Sequence, residues 1–207
     1  MQNTLIEALR AVTPRMAGTN LRERMIACLG ALIGIALAGV VSGWAVGGME
    51  HLPLLVAPMG ASAVLLFAVP ASPLAQPWSI IGGNTISALV GIAVAHMVPD
   101  KAFAAAIAVA LAIAVMSLLR CLHPPGGAAS LLSVLGGPAA ASWSFSFAVV
   151  PVALNSILLV LIGLAFHRFS KHSYPHKPKV VMARHHGTQD LPPQLRVELT
   201  EADIDAA

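Results

Sequence analysis

The densest chemical potential in this sequence lies in one run, His123-Pro124-Pro125-Gly126-Gly127. Proline suits the first turn of a helix, where its missing N–H costs nothing and its φ is preset. It also pushes the preceding residue out of helical geometry. The run therefore predicts a helix start with His123 at its boundary. The N–H groups of Gly126 and Gly127 would then lie at a helix N-terminus with no side chain to shield them. Exposed N–H groups at the positive end of a helix dipole form an anion site. Arg120, one turn upstream, adds a full positive charge, and His123 titrates near physiological pH and can carry a proton. The competing reading is structural: a tight Pro-Pro-Gly-Gly connection, with His123 bonded to a neighbouring carbonyl.

A second, weaker copy of the pattern is Pro58-Met59-Gly60, with Ser62 as a hydroxyl donor. Asn84 and Asn155 fall within apolar stretches that lipid would accept only if their amides faced protein or a pore. Each is either an interhelical hydrogen bond or a site residue. Conventional enzyme signatures are missing: the apolar region has no paired carboxylates, no Cys/His metal spacing and no glycine-rich phosphate loop after a strand. No enzyme, metal or cofactor is expected. His172, His176, His185 and His186 match no tight metal site and read as part of a solvated tail. Cys28 and Cys121 read as isolated thiols with no disulfide between them.

The elements that must position these groups follow from composition. The 207 residues are 57% hydrophobic and 10% charged, with a mean hydropathy of +0.80. A soluble domain is about 25% charged, so this chain lacks polar cover for a water-facing surface. Between Met25 and Phe166 the only Asp, Glu, Lys or Arg residues are Glu50, Asp100, Lys101 and Arg120. A charge at the bilayer centre costs roughly 2.5–3.5 kcal/mol, so charge-free stretches of membrane length are what lipid selects. The expected class is an all-α, polytopic membrane helix bundle. Residues 1–23 form a cytoplasmic lead-in, with Leu5, Ile6, Leu9 and Val12 at helical spacing. Residues 24–168 form the membrane domain, and 169–207 a mostly disordered cytoplasmic tail.

Full spans are expected at Met25–Val46, Ile80–Val98, Ala102–Leu119 and Phe147–Phe166. The first is too long and too far into the chain for a cleaved signal. Its Gly34/Ala38 and Gly39/Gly43 pairs would let a neighbouring helix approach closely. Between the spans lie two shorter apolar stretches, Leu54–Pro70 and Pro124 to about Leu135, with loops at 71–79 and through Ser146. About twelve helical residues rise about 18 Å, too little for a hydrocarbon core of about 30 Å. These segments are expected as two re-entrant half-helices between four full spans, with six crossings as the alternative. Half-helix N-termini aimed at a substrate near the midplane are a recurring transporter device.

The halves 24–98 and 102–168 echo each other, as expected of a twofold internal repeat. Pro58-Met59-Gly60-Ala61 matches Pro125-Gly126-Gly127-Ala128, and Asn84 with His96 matches Asn155 with His167 at the same spacing. Basic residues flank the membrane domain: Arg10, Arg15, Arg22 and Arg24 before it, and Arg168, Lys171, Lys177, Lys179 and Arg184 after it. By the positive-inside rule both termini are cytoplasmic and the number of crossings is even. The net charge of +3 is explained by this flanking pattern, and no nucleic-acid partner is expected.

At His123–Ala128 the chain resembles the HPP family of membrane proteins. The likeness includes Ala57-Pro58-Met59-Gly60-Ala61-Ser62-Ala63, the Ser72–Pro77 loop, and Gly82-Gly83 leading into Ser87-Ala88, over roughly residues 20–168. The resemblance implies four transmembrane helices and, from plastid and cyanobacterial members, nitrite transport. Many relatives carry histidine where this chain has Asn84. Some bacterial relatives append paired CBS domains, for which this tail is too short, so nucleotide gating is not expected. The expected protein is a transporter or channel for a small monovalent anion, nitrite first, in a bacterial inner membrane. Its site would comprise His123, Pro124, Pro125, Gly126, Gly127, Arg120, Pro58, Gly60, Ser62 and Asn84. A homo-oligomer would help four spans enclose a pore. The rival is a non-transporting scaffold or assembly protein.

Overall fold

The computed structural model describes residues 21–45, 56–136, 145–170 and 173–176. The lead-in, the loop through residue 144 and the tail beyond 176 lie outside the described residues. The described elements are helices: α1 (Leu21–Ala45), α2 (Pro58–Ala68), α3 (Pro77–Met97), α4 (Lys101–Leu118), α5 (Pro124–Leu135) and α6 (Leu154–Phe169). Pro73–Ala75 adds a short 3-10 turn, and a wide helical turn, Ala148–Ala153, leads into α6. Four of these are long and apolar enough to cross a membrane: α1, α3, α4, and α6 with the turn before it.

Local sequence sets the helix ends. Pro58, Pro77 and Pro124 all open helices, where a missing N–H is harmless. Asp100 caps α4, its Oδ1 accepting from the N–H groups of Ala102 at 2.9 Å and Phe103 at 3.0 Å. α4 ends with Arg120 at φ 54°, its N–H on the Ser117 carbonyl and the Cys121 N–H on that of Met116. That is the paired closure of a Schellman motif, with arginine where glycine is usual. α1 begins four residues earlier than its apolar stretch, because Arg22, Glu23 and Arg24 fit a polar first turn. The last span is kinked: Val150, before Pro151, is extended at φ −130°, ψ 111°.

Burial inverts the soluble pattern. Leu21, Met25, Trp44, Phe103, Leu118 and Phe169 face outward, while Ser62, Asn84, His123, Asn155 and Ser156 are fully buried. Polar groups gather inside and apolar side chains meet the surroundings, as in a protein solvated by lipid. α1 packs through Gly30, Gly34, Ala38 and Ser42, one face at four-residue spacing. Methyl groups at Gly30 and Gly34 would meet the Phe67 ring at 2.6 and 2.7 Å. The expected Gly34/Ala38 contact is thus a buried one. Phe67 in turn meets Phe166 edge-on, with centroids 5.3 Å apart.

Contacts fix the direction of each helix. Gly30 lies against Phe166, and Ser42 donates to Asn155 Oδ1, so α1 and α6 are antiparallel. We call the end holding Leu21 and Phe169 the tail end. α2 finishes there, its Leu66 carbonyl bonded to His167 Nε2 at 2.8 Å. α4 finishes there too, since Trp78 Nε1, at the start of α3, donates to the Leu119 carbonyl at 3.1 Å. At the opposite end the His96 ring stacks on Phe145, centroids 6.2 Å apart.

The four long helices are those expected, and the same contacts give the direction in which the short ones run. The chain leaves α1 at the far end and finishes α2 at the tail end. It leaves α4 at the tail end and reaches Phe145 at the far end after α5. Each short helix therefore lies on a passage between ends and not on a hairpin that returns to the end it left. Long, short, long then recurs with directions reversed, an inverted arrangement.

Candidate functional site

α5 runs beside α3 in the same direction and at close range. A methyl group at Gly83 would sit 2.5 Å from His123 Cβ and 2.8 Å from the Cys121 carbonyl oxygen. One at Gly126 would sit 2.7 Å from Ser87 Oγ and 2.8 Å from the Gly83 carbonyl oxygen. Glycine at both positions lets the two backbones touch. That contact buries His123 at the start of α5, in extended geometry at φ −143°, ψ 108° ahead of Pro124.

The imidazole is held on both nitrogens. Nδ1 lies 2.7 Å from the Leu74 carbonyl oxygen, which can only accept, so Nδ1 carries a hydrogen and donates it. Nε2 lies 2.8 Å from Ser62 Oγ on α2. Ser62 also reaches the Pro58 carbonyl one turn back at 3.1 Å and receives Asn84 Nδ2 from α3 at 3.1 Å. Asn84 Nδ2 continues to Ser156 Oγ on α6 at 3.3 Å, and Ser156 donates to the Val152 carbonyl at 2.8 Å. A polar chain thus crosses the bundle through α2, α3, α5 and α6. Asn84 Oδ1 is buried and has no partner among the described residues.

The expected site residues divide accordingly. His123, Ser62, Asn84 and the Pro58 carbonyl come together, and Pro125 and Gly126 are buried at the α3 contact. Pro124 is exposed. Gly60 and Gly127, equivalent in the repeat, both border open space, with nothing within 4 Å of a methyl group placed there. Two departures are clear. The Gly126 N–H, expected to be free, donates to the His123 carbonyl at 2.8 Å. Prolines at the first two positions remove two more donors, so the α5 N-terminus is a weaker anion cradle than expected. Arg120 is exposed, in the left-handed turn beyond the end of α4.

Sequence reasoning missed Leu74 and Ser156. A carbonyl has no side-chain signature, although Leu74 stands in the Ser72–Pro77 loop that carries part of the family likeness. Ser156 stood beside Asn155, whose own bond goes elsewhere, to Ser42 on α1. The Leu74 loop is tied down by the segment after α6. Tyr174 donates to the Ala75 carbonyl at 2.9 Å, and the His176 N–H to Gln76 Oε1 at 2.9 Å. Burial raises the Tyr174 phenol above its ordinary pKa, keeping it a donor through alkaline pH.

A helical bundle that is apolar outside and polar within, with four helices of membrane length, defines a polytopic integral membrane protein. The match to the family described as HPP, transmembrane region, covers residues 16–175, and the protein belongs to that family. It is similar to two transmembrane proteins of Dictyostelium discoideum. One is 38% identical over 131 residues, covering 60% of this chain and 45% of the relative. The other is 39% identical over 127 residues, covering 58% of this chain and 40% of the relative. The chain thus spans less than half the length of these curated relatives. No solved structure matches.

Proposed function

We propose that this protein is a transporter or channel for a small monovalent anion, with nitrite the first candidate. The observation that carries the reading is the His123–Ser62–Asn84–Ser156 chain, buried where lipid would tolerate polar groups only for structure or for a solute. An intramembrane ionisable residue is a functional hypothesis by default. Here it sits where two short helices meet, beside a carboxamide with an unpaired oxygen. Asn84 Nδ2, Ser62, Ser156 and a protonated Nε2 are the donors such an anion would meet. The family resemblance to nitrite transporters favours the same class.

The setting follows from the charges. Arg22, Arg24, Arg120 and Arg168 gather at the tail end, against Asp100 and Lys101 at the far end. The positive-inside rule puts the tail end, and with it both termini, in the cytoplasm of a bacterial inner membrane. A homo-oligomer would complete a pore if one protomer does not enclose it.

The test is nitrite uptake into proteoliposomes carrying the purified protein, with formate, nitrate and chloride as competitors. Saturable uptake that His123→Ala abolishes is the expected result. Absence of flux for every anion from folded protein would reject transport and favour a membrane scaffold.

A further inference from the structure

The hydrogen inventory around His123 indicates the form in which a ligand arrives. Nδ1 is committed to Leu74, so the state of the ring is decided at Nε2. Ser156 gives its hydroxyl hydrogen to Val152, and Ser62 gives its own either to His123 Nε2 or to the Pro58 carbonyl. Both hydroxyl oxygens are therefore acceptors toward Asn84. That fixes the amide with Nδ2 facing them and turns Oδ1 away. Oδ1 is thus an orphan acceptor on a fully buried side chain, a state proteins ordinarily avoid.

Ser62 gives the ring two complete bonding states. With Nε2 bare, the hydroxyl donates to it. With Nε2 protonated, the ring donates to Ser62 and the hydroxyl turns to Pro58. No heavy atom has to move. Among the described residues no carboxylate faces the ring in either state. The neighbouring elements present Ser62 from α2, Leu74 from the loop, Gly83 and Asn84 from α3, and Met116 and Cys121 from the end of α4. The Cys121 thiol is the other titratable group in that set. On the adjoining helices His96, Asp100 and Lys101 stand at the far end, and Arg120, His167 and Arg168 at the tail end.

A buried imidazolium without a carboxylate needs an anion, and an orphan acceptor needs a donor. A weak acid HX supplies both. It can leave its proton on Nε2 and pair as X⁻ with the ring, or keep it and donate to Asn84 Oδ1. Charge balances either way. We infer that the site binds small monobasic weak acids as the anion together with one proton, and that His123 with Asn84 selects them over anions of strong acids. This rests on the anion-site reading above and adds the proton and the substrate class.

The experiment is calorimetric titration of the detergent-solubilised full chain with sodium formate at pH 7, in buffers of different ionisation enthalpy. The slope of heat against that enthalpy counts protons taken up per formate bound. About one proton is expected, with nitrite behaving alike and nitrate and chloride binding about tenfold more weakly or worse. Asn84→Leu removes the acceptor without touching the ring and should weaken formate by about tenfold or more. It carries the test if His123→Gln fails to fold. Formate binding without proton uptake, or nitrate binding as tightly as formate, overturns this inference and leaves the anion site standing. No heat from any anion with protein that still melts cooperatively overturns the site itself.

Discussion

His123 is held in place by two glycines that other residues would displace. A methyl group at Gly83 falls 2.5 Å from His123 Cβ with backbone behind it, so neither side can give way cheaply. Gly83→Ala should destabilise the protein by about 1–3 kcal/mol, the usual cost of overpacking, read as a lower midpoint in a thermal melt in detergent. Ser62→Ala should cost about 1–3 kcal/mol for a different reason, since it leaves His123 Nε2 and Asn84 Nδ2 short of a buried partner. Restoring the hydroxyl with threonine should recover part of that loss, and equal melts for alanine and wild type would rule the network out as a source of stability. At this scale the sequence was informative where a side chain was out of character. An asparagine and a histidine in apolar stretches had to find partners, and they found each other through Ser62. The Leu74 carbonyl was not legible, because every residue carries one. The Gly126 N–H was misjudged because two prolines tighten the first turn of α5 and aim it at the His123 carbonyl.

Helix ends were mostly legible, since proline, aspartate and clustered charges mark them; paths between ends were not. Twelve residues are too few to cross lipid as a helix, which argued for hairpins. The direction of each short helix shows only in the contacts at its two sides, which length alone does not carry. The kink at Val150 escaped notice because the apolar stretch runs through Pro151 unbroken. Arg120 read as a charge beside the site but serves to close α4. An L-residue in left-handed geometry costs about 1–2 kcal/mol, so Arg120→Gly should stabilise by about 1 kcal/mol in the same melt, and anion binding should be unchanged. A loss of binding would return Arg120 to the site. The segment after α6 belongs to this scale as well. Leu74, Ala75 and Gln76 are consecutive: the first holds His123, and the next two are bonded to Tyr174 and His176. Tyr174→Phe should loosen the loop by about 0.5–1.5 kcal/mol, the net worth of one hydrogen bond. Faster amide exchange across residues 72–76 is the measurement, and unchanged exchange would assign the loop's order to its own Gln76 bonds.

The two halves of the molecule run in opposite senses, and that has a consequence for which residues share a side of the membrane. Ser42 with Asn155 and Leu66 with His167 set the direction of the outer helices; Trp78 with Leu119 sets that of α4. Together they place Arg22, Arg120 and Arg168 at one end and Lys101 at the other. Four spans with re-entrant hairpins would instead put Lys101 with Arg22, and Arg120 across the membrane from both. The charges agree with the first arrangement, since Arg120 then joins the other arginines and breaks no positive-inside preference. The choice can be read directly by introducing single cysteines as Arg22→Cys, Lys101→Cys, Arg120→Cys and Arg168→Cys, in a background with Cys28→Ala and Cys121→Ala. All four positions are exposed, so an impermeant maleimide should reach each one from its own side. In intact spheroplasts of an expressing bacterium, labelling is expected at 101 alone, with 22, 120 and 168 reacting only after permeabilisation. Labelling at 120 alone, with 22, 101 and 168 protected, would reinstate the re-entrant path, and the inverted reading of the fold would fail with it. Labelling at 22, 120 and 168 with protection at 101 would keep the path and reverse its orientation, placing the Tyr174 strap outside the cell.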